Sequence, residues 1–107
     1  MFEKLQQMEQ NYSILQEKLN QPETYDDPKT ATRLNRELKE LEEVVSTYRT
    51  WDACRQNCDE LEGLLHSDDP ELRSLAGEEF YGEKKRREAL ERRFPCVFHR
   101  VALPEKP

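Results

Sequence analysis

The sequence predicts an all-α protein, folded as an elongated antiparallel three-helix bundle with coiled-coil-like packing and a long central helix. Three observations support this class. Apolar residues recur at spacings of three and four, helix-forming residue types dominate with only three glycines, and two Asp-Pro pairs mark helix starts. A chain of 107 residues is expected to form at most one domain. Because 37% of its residues are charged, we expect the core of this domain to be thin.

The first helix is predicted from Phe2 to about Leu19. Its apolar side chains form a heptad seam on one face: Leu5, Met8, Tyr12, Leu15 and Leu19. The segment NQPETYDDP then interrupts the pattern with two prolines and several turn-forming residues. A turn is therefore expected between the first and second helices.

The second helix is predicted over about Lys29 to Leu65. At its start, the Asp27 carboxylate caps free backbone N–H groups and Pro28 takes the first helical position. One apolar series comprises Ala31, Leu34, Leu38, Leu41, Val45 and Tyr48. A second series, on a shifted face, comprises Val44, Trp51, Cys54, Cys58, Leu61 and Leu65. Because the first helix is too short to cover the whole second helix, the shift predicts two successive partners, the first helix and then the third.

The third helix is predicted with Asp69 as its cap, Pro70 in its first turn and Pro95 at its end. Its predicted buried face comprises Leu72, Leu75, Ala76, Phe80, Leu90 and Phe94. Gly77 and Gly82 weaken the middle of this helix, by about 1 kcal/mol each relative to alanine. We therefore expect a helical domain over residues 1–94 and a divergent tail or linker over residues 95–107.

Charge is unevenly distributed along the chain. Residues 1–70 hold 8 Lys and Arg against 16 Asp and Glu, a net charge of −8, whereas residues 71–107 hold 9 against 7, a net charge of +2. The acidic body argues against DNA and against broad nucleic-acid binding, which depends on neutralising phosphates. No apolar run approaches the ~20 residues that span a bilayer, so no membrane partner is expected. An odd number of cysteines, three, favours a reducing, cytoplasmic location.

The last third contains a basic run, EKKRRE, followed by two arginines. Its six cations are Lys84, Lys85, Arg86, Arg87, Arg92 and Arg93. Such a run can bind ribosomal RNA or an acidic protein surface. The alternative is a solvated helix face whose cations form ion pairs with glutamates one turn away.

The cysteines also allow two interpretations. Cys54 and Cys58 share a helix face, and with Cys96 and His99 they could supply a tetrahedral zinc shell. The favoured interpretation is that Cys54 and Cys58 are small core residues, so that no metal and no cofactor are bound. His66 is expected at the surface. No nucleophile–base pair or glycine-rich loop is evident, which argues against an enzyme.

The order of these segments resembles the N-terminal domain of bacterial class I peptide chain release factors, most closely the release factor one group. The resemblance covers about residues 1–94 and includes PETYDDPK, LNRELKELEEVV and DDPELRSLA. It implies a non-catalytic helical arm that contacts the ribosome near the base of the protein stalk. The family's Gly-Gly-Gln loop does not occur in this sequence, and RRFPCVFHRVA departs from the family pattern.

The resemblance also places VALPEKP where the family chain enters its codon-reading and catalytic domains, so the sequence is expected to stop before them. A second function class remains open beside this one. The chain could be a free-standing coiled-coil adaptor or oligomerisation module that associates weakly through the uncovered half of its long helix. A monomer favours the ribosome-contacting arm, and a stable dimer favours the adaptor.

Overall fold

The computed structural model describes residues 2–101, without the side chains of residues 99–101. These residues form three α-helices: α1 (Phe2–Leu19), α2 (Pro28–Leu64) and α3 (Pro70–Val101). A 3-10 helix, Pro22–Asp26, lies between α1 and α2. Because no strand occurs between residues 2 and 101, the predicted all-α class is confirmed.

The chain divides into two compact units. Among the described residues, unit 1 comprises residues 2–46 together with residues 95–101, and unit 2 comprises Thr47–Phe94. The boundary falls inside α2 and inside α3, so each of these helices contributes residues to both units. The shift of the apolar face near Val44 to Trp51, inferred from the sequence, coincides with this boundary.

In unit 1, α1 lies beside the first half of α2. Leu5 and Leu15 are buried, and the other members of the predicted seam are partly buried. Met8, Leu15 and Leu41 line the same shallow groove, which shows that the two helices are neighbours. The chain reverses between them through a short connection, as antiparallel neighbours require.

This connection is more ordered than the turn predicted from the sequence. The Thr24 hydroxyl donates a hydrogen bond to the Lys18 carbonyl, and the Tyr25 hydroxyl donates one of 2.7 Å to the Leu19 carbonyl. Carbonyl groups in the last turn of a helix lack intrahelical partners. The two side chains supply those partners and fix the 3-10 helix against the end of α1.

The start of α2 follows the predicted capping chemistry. The Asp27 carboxylate accepts hydrogen bonds from the Lys29 backbone N–H, at 3.2 Å, and from the Thr30 hydroxyl, at 2.7 Å. The hydroxyl bond is the main reason why the pKa of Asp27 is lowered. Pro28 is the first helical residue, as predicted, and α2 ends at Leu64, one residue earlier than predicted.

In unit 2, the second half of α2 runs antiparallel to α3. The Trp51 indole N–H donates to the Glu91 carboxylate at 3.0 Å, and the Asn57 amide donates to the Glu83 carboxylate at 3.0 Å. Contacts thus move backward along α3 as they move forward along α2. The buried apolar residues of this unit are Tyr48, Cys54, Cys58, Ala76, Leu90 and Phe94.

Two predictions for α3 are wrong. Pro95 does not end the helix, which continues to Val101. Proline removes one backbone hydrogen bond, but Phe94 and Val97, on either side of it, are each only 2% exposed. The free energy gained by burying these two side chains outweighs the local cost of the backbone hydrogen bond that Pro95 removes. The division of domains at residue 94 stays a prediction, and residues 102–107 of the tail lie outside the described residues.

The second error concerns Leu72 and Leu75, which were predicted to be buried but are 38% and 59% exposed. Because successive helical residues are rotated by about 100° around the helix axis, the Leu75 side chain points about 100° away from that of buried Ala76. Gly77 and Gly82 do not interrupt α3, although glycine lowers helix stability. A Cβ atom at Gly82 would have no neighbour within 4 Å, so packing does not require glycine there.

Candidate functional site

The basic run predicted from the sequence lies on α3, within unit 2. We call residues 84–93 the α3 basic segment. Five of its six cations are exposed: Lys84, Lys85, Arg86, Arg92 and Arg93. Arg87 is partly buried, with its side chain 25% exposed. The segment is therefore accessible, but its members are not equivalent.

Helix geometry separates the cations into different directions. Because successive residues are rotated by about 100°, Lys84 to Arg87 cannot all face one partner surface. Lys85 and Arg92 are seven residues apart and share one side of α3. Arg92 lies two residues, or about 200°, from buried Leu90. The Lys85–Arg92 side thus points away from the apolar core of unit 2.

Two of the arginines form ion pairs on α3. Arg86 lies 3.5 Å from the Glu83 carboxylate, and Arg87 lies 4.0 Å from the Glu91 carboxylate. Glu91 also accepts the hydrogen bond from Trp51. The interpretation as a solvated, ion-paired helix face therefore applies to Arg86 and Arg87.

Lys85 has a different neighbour. Its ammonium group lies 4.7 Å from the centre of the Tyr81 ring, one turn earlier on α3. Tyr81 is 62% exposed, so this cation–π contact forms at the surface and is weak. The Lys85 ammonium group therefore lies at the surface, beside an exposed aromatic ring.

Glu83 anchors this segment to α2. Its carboxylate accepts the hydrogen bond from the Asn57 amide, which is the main cause of its lowered pKa. Its backbone carbonyl accepts a 3.2 Å hydrogen bond from the Cys54 thiol. Glu83 therefore makes two polar contacts between α3 and α2.

The cysteines support the packing interpretation. Cys54 and Cys58 are each 1% exposed in unit 2, whereas Cys96 is exposed. Burial, followed by the nearby negative charge of Glu83, raises the pKa of Cys54 to about 11. Between residues 2 and 98, no three His, Cys, Asp or Glu side chains are grouped so as to hold a metal ion. The His99 side chain of the zinc alternative lies outside the described residues.

Two further sequence expectations can be compared with the structure. His66 is exposed, as predicted. No helix within the described part of the chain combines the length and the apolar character needed to cross a bilayer.

A second group of exposed cations was missed. Lys29, Arg33, Arg36 and Lys39 lie on the first half of α2, and all four are exposed. The charge count over residues 1–70 hides them, because most of the acidic residues lie elsewhere in that range. A count over a window of about three helical turns would have revealed them.

Comparison with known proteins identifies the class to which this helical chain belongs. The family model of the PCRF domain matches residues 8–101, and the chain is therefore a member of the PCRF domain family. This confirms the resemblance to the N-terminal domain of peptide chain release factors. No solved structure gave a significant match.

Individual relatives agree with this assignment. Over 108 aligned residues the chain is 34% identical to Peptide chain release factor 1 of Geobacillus kaustophilus and 35% identical to that of Listeria welshimeri. Each alignment covers 100% of this chain and 29% of the relative. The chain is also 31% identical to Peptide chain release factor 1 of Oleidesulfovibrio alaskensis, covering 96% of this chain and 27% of that protein. It thus spans less than a third of these relatives.

Proposed function

We propose that this chain serves translation termination in the cytoplasm, as the non-catalytic N-terminal helical domain of a peptide chain release factor. One observation carries the proposal: the whole chain aligns with proteins named Peptide chain release factor 1, and the PCRF domain covers residues 8–101. In this role the domain is an arm that contacts the ribosome near the base of the protein stalk. It hydrolyses nothing itself, since Gly-Gly does not occur in the sequence.

We propose the α3 basic segment as the ribosome-contacting surface. Its candidate residues are Lys84, Lys85, Arg86, Arg87, Arg92 and Arg93. Exposure and direction favour Lys85 and Arg92 as the central pair, because Arg86 and Arg87 already pair with glutamates. Because the chain has a net charge of −6, the attraction of this segment to a ribosomal surface acts within about a Debye length, ~8 Å at physiological salt.

Replacing Lys85 and Arg92 by glutamine is expected to weaken co-sedimentation with purified ribosomes. Exposed ionic contacts contribute up to ~1 kcal/mol each, so losing two corresponds to roughly a tenfold weaker association. The thermal melt should stay nearly unchanged, because both side chains point away from the core.

The double variant Lys4→Gln, Lys18→Gln is the matched control. It removes the same charge from exposed positions on α1 and should co-sediment like the original chain. Equal losses of ribosome binding in both variants would show that binding depends on net charge alone. Unaltered ribosome binding by the α3 variant would exclude this surface. Absence of binding by the original chain would count against the ribosome-contacting role itself.

The adaptor alternative retains one supporting observation. Three exposed leucines occur in unit 2: Leu64, Leu72 and Leu75, with exposed fractions of 40%, 38% and 59%. The face of α2 that carries Cys54 and Cys58 is, however, already buried within this unit. We therefore expect a monomer in analytical ultracentrifugation across micromolar concentrations. A stable dimer that Leu75→Lys dissociates would instead support self-association and the adaptor function.

A further inference from the structure

The first half of α2 carries a charged surface that the proposed function does not use. We call Lys29, Arg33, Arg36 and Lys39 the α2 basic stripe. Between residues 29 and 39 these four cations stand against one acidic residue, Glu37, giving a net charge of +3. The stripe is thus a local reversal of charge within residues 1–70, whose net charge is −8.

The four cations share one broad side of the helix. Lys29, Arg33 and Arg36 follow the spacing of four and three that places residues on a common face. Buried Ala31 and Leu34 each lie two positions, or about 200°, from a member of the stripe. The stripe therefore points away from the core of unit 1.

The surface between these side chains is uneven. It forms two adjoining shallow hollows that share Thr32 and Arg36. Lys29 and Arg33 border the first hollow, and Asn35, Lys39 and Glu40 border the second. An anionic group seated in the first hollow would be approached by three cations, Lys29, Arg33 and Arg36.

Helix stability does not explain the placement of these charges. A cation in the first turn lies near the positive end of the helix dipole, which is unfavourable. The first turns of α1 and α3 contain Glu3 and Glu71, whereas the first turn of α2 contains Lys29 and no acidic residue. Arg33 and Glu37 form an ion pair at 3.4 Å, but their side chains are 61% and 44% exposed, so it contributes little.

We propose that the α2 basic stripe binds the phosphate backbone of RNA. The guanidinium groups of Arg33 and Arg36 match the geometry of phosphate oxygens, and the exposed Thr32 hydroxyl is a further donor for them. From Lys29 to Lys39 the stripe is about 15 Å long, enough for several successive phosphates. It lacks aromatic side chains that could stack on bases, so recognition is independent of sequence.

Charge complementarity alone would also fit an acidic protein, but the composition of the stripe favours RNA. Stable protein interfaces are centred on buried aromatic or aliphatic residues. Apart from Pro28 and Glu40, the exposed residues that line this side of α2 are basic or polar: Lys29, Thr32, Arg33, Asn35, Arg36 and Lys39. A surface of this kind suits a partner whose affinity comes from its charges.

The test measures the affinity of the chain for a short fluorescein-labelled RNA hairpin by fluorescence anisotropy over a series of salt concentrations. Replacing Arg33 and Arg36 by glutamine is expected to lower the affinity roughly tenfold at low salt. Each lost phosphate contact also removes about 0.9 from the slope of log affinity against log salt, so the slope should fall by about 2. The Lys4→Gln, Lys18→Gln control should change neither quantity comparably.

A second variant distinguishes the loss of the two charges from a folding defect. Replacing Arg33 and Arg36 by lysine keeps the charge, and it should preserve the salt slope while losing part of the affinity, because lysine cannot form the bidentate contact. Equal affinities for the glutamine variant and the original chain would overturn the proposal. Displacement of the hairpin by polyglutamate as readily as by unlabelled hairpin would also overturn it, in favour of an acidic protein.

This inference stands apart from the proposed ribosome-contacting surface on α3. The Lys85→Gln, Arg92→Gln variant should bind the RNA hairpin like the original chain if the α2 basic stripe is the RNA site. Loss of hairpin binding in that variant, with full binding by Arg33→Gln, Arg36→Gln, would assign RNA binding to α3 and refute the role of the stripe.

Discussion

Replacing Phe94 by alanine is expected to lower the free energy of unfolding by about 3–5 kcal/mol, the usual range for truncation of a buried phenylalanine. The Phe94 side chain is 2% exposed, and its ring meets that of Trp51 edge-on with 6.0 Å between ring centres. Domains of this size are stable by only about 5–15 kcal/mol. The substitution should therefore leave unit 2 close to unfolding in urea titrations followed by helical circular dichroism.

Leu75→Ala is the matched control on the same helix. Leu75 is 59% exposed and should lose no more than about 0.5 kcal/mol. Leu61, which is partly buried, should give an intermediate loss. Similar losses at Phe94 and Leu75 would mean that α3 presents a different face to α2 from the one described.

The starts of α2 and α3 could be predicted because their causes are local. At the start of α3, the Asp69 carboxylate accepts a 3.0 Å hydrogen bond from the Glu71 backbone N–H, and Pro70 is the first helical residue. The same arrangement of Asp27 and Pro28 begins α2. Such caps depend on neighbours within three residues, which the sequence shows directly.

The end of α3 could not be predicted because its cause lies in packing. Locally, Pro95 favours termination, but the burial of Phe94 and Val97 decides the outcome. The same limit applies to Leu75, which matched the apolar spacing but is exposed. An apolar residue is buried only where another helix covers it, and the sequence does not state how far that cover extends.

The candidate site was predicted as a set of residues but not as a surface. Spacing alone gives six cations on one helix segment. Their difference in accessibility depends on Glu83 and Glu91, which also bind Asn57 and Trp51 of α2. Residues that are 26 and 40 positions apart in sequence thus decide which cations are free to meet a partner. That information requires the antiparallel pairing of α2 with α3.

Cys54 makes the stability of the protein depend on pH in the alkaline range. The ordinary pKa of its thiol is 9.0, and burial followed by the charge of Glu83 raises it to about 11 in the folded protein. Below pH 9 the thiol is neutral in both states and contributes no pH dependence. Between pH 9 and about 11 it ionises only in the unfolded chain, so stability falls as pH rises.

The full loss is about 3 kcal/mol, since one pKa unit corresponds to about 1.4 kcal/mol and the pKa of Cys54 rises from 9.0 to about 11. Urea titrations at a series of pH values should show this decline in the original chain. Cys54→Ala should have lower stability at neutral pH, through the lost thiol bond to the Glu83 carbonyl, but a shallower decline. Lysine and tyrosine side chains titrate in both proteins, so the difference between the two curves isolates Cys54. Parallel curves would show that the thiol ionises equally well in the folded and unfolded states, and that Cys54 is not shielded beside Glu83.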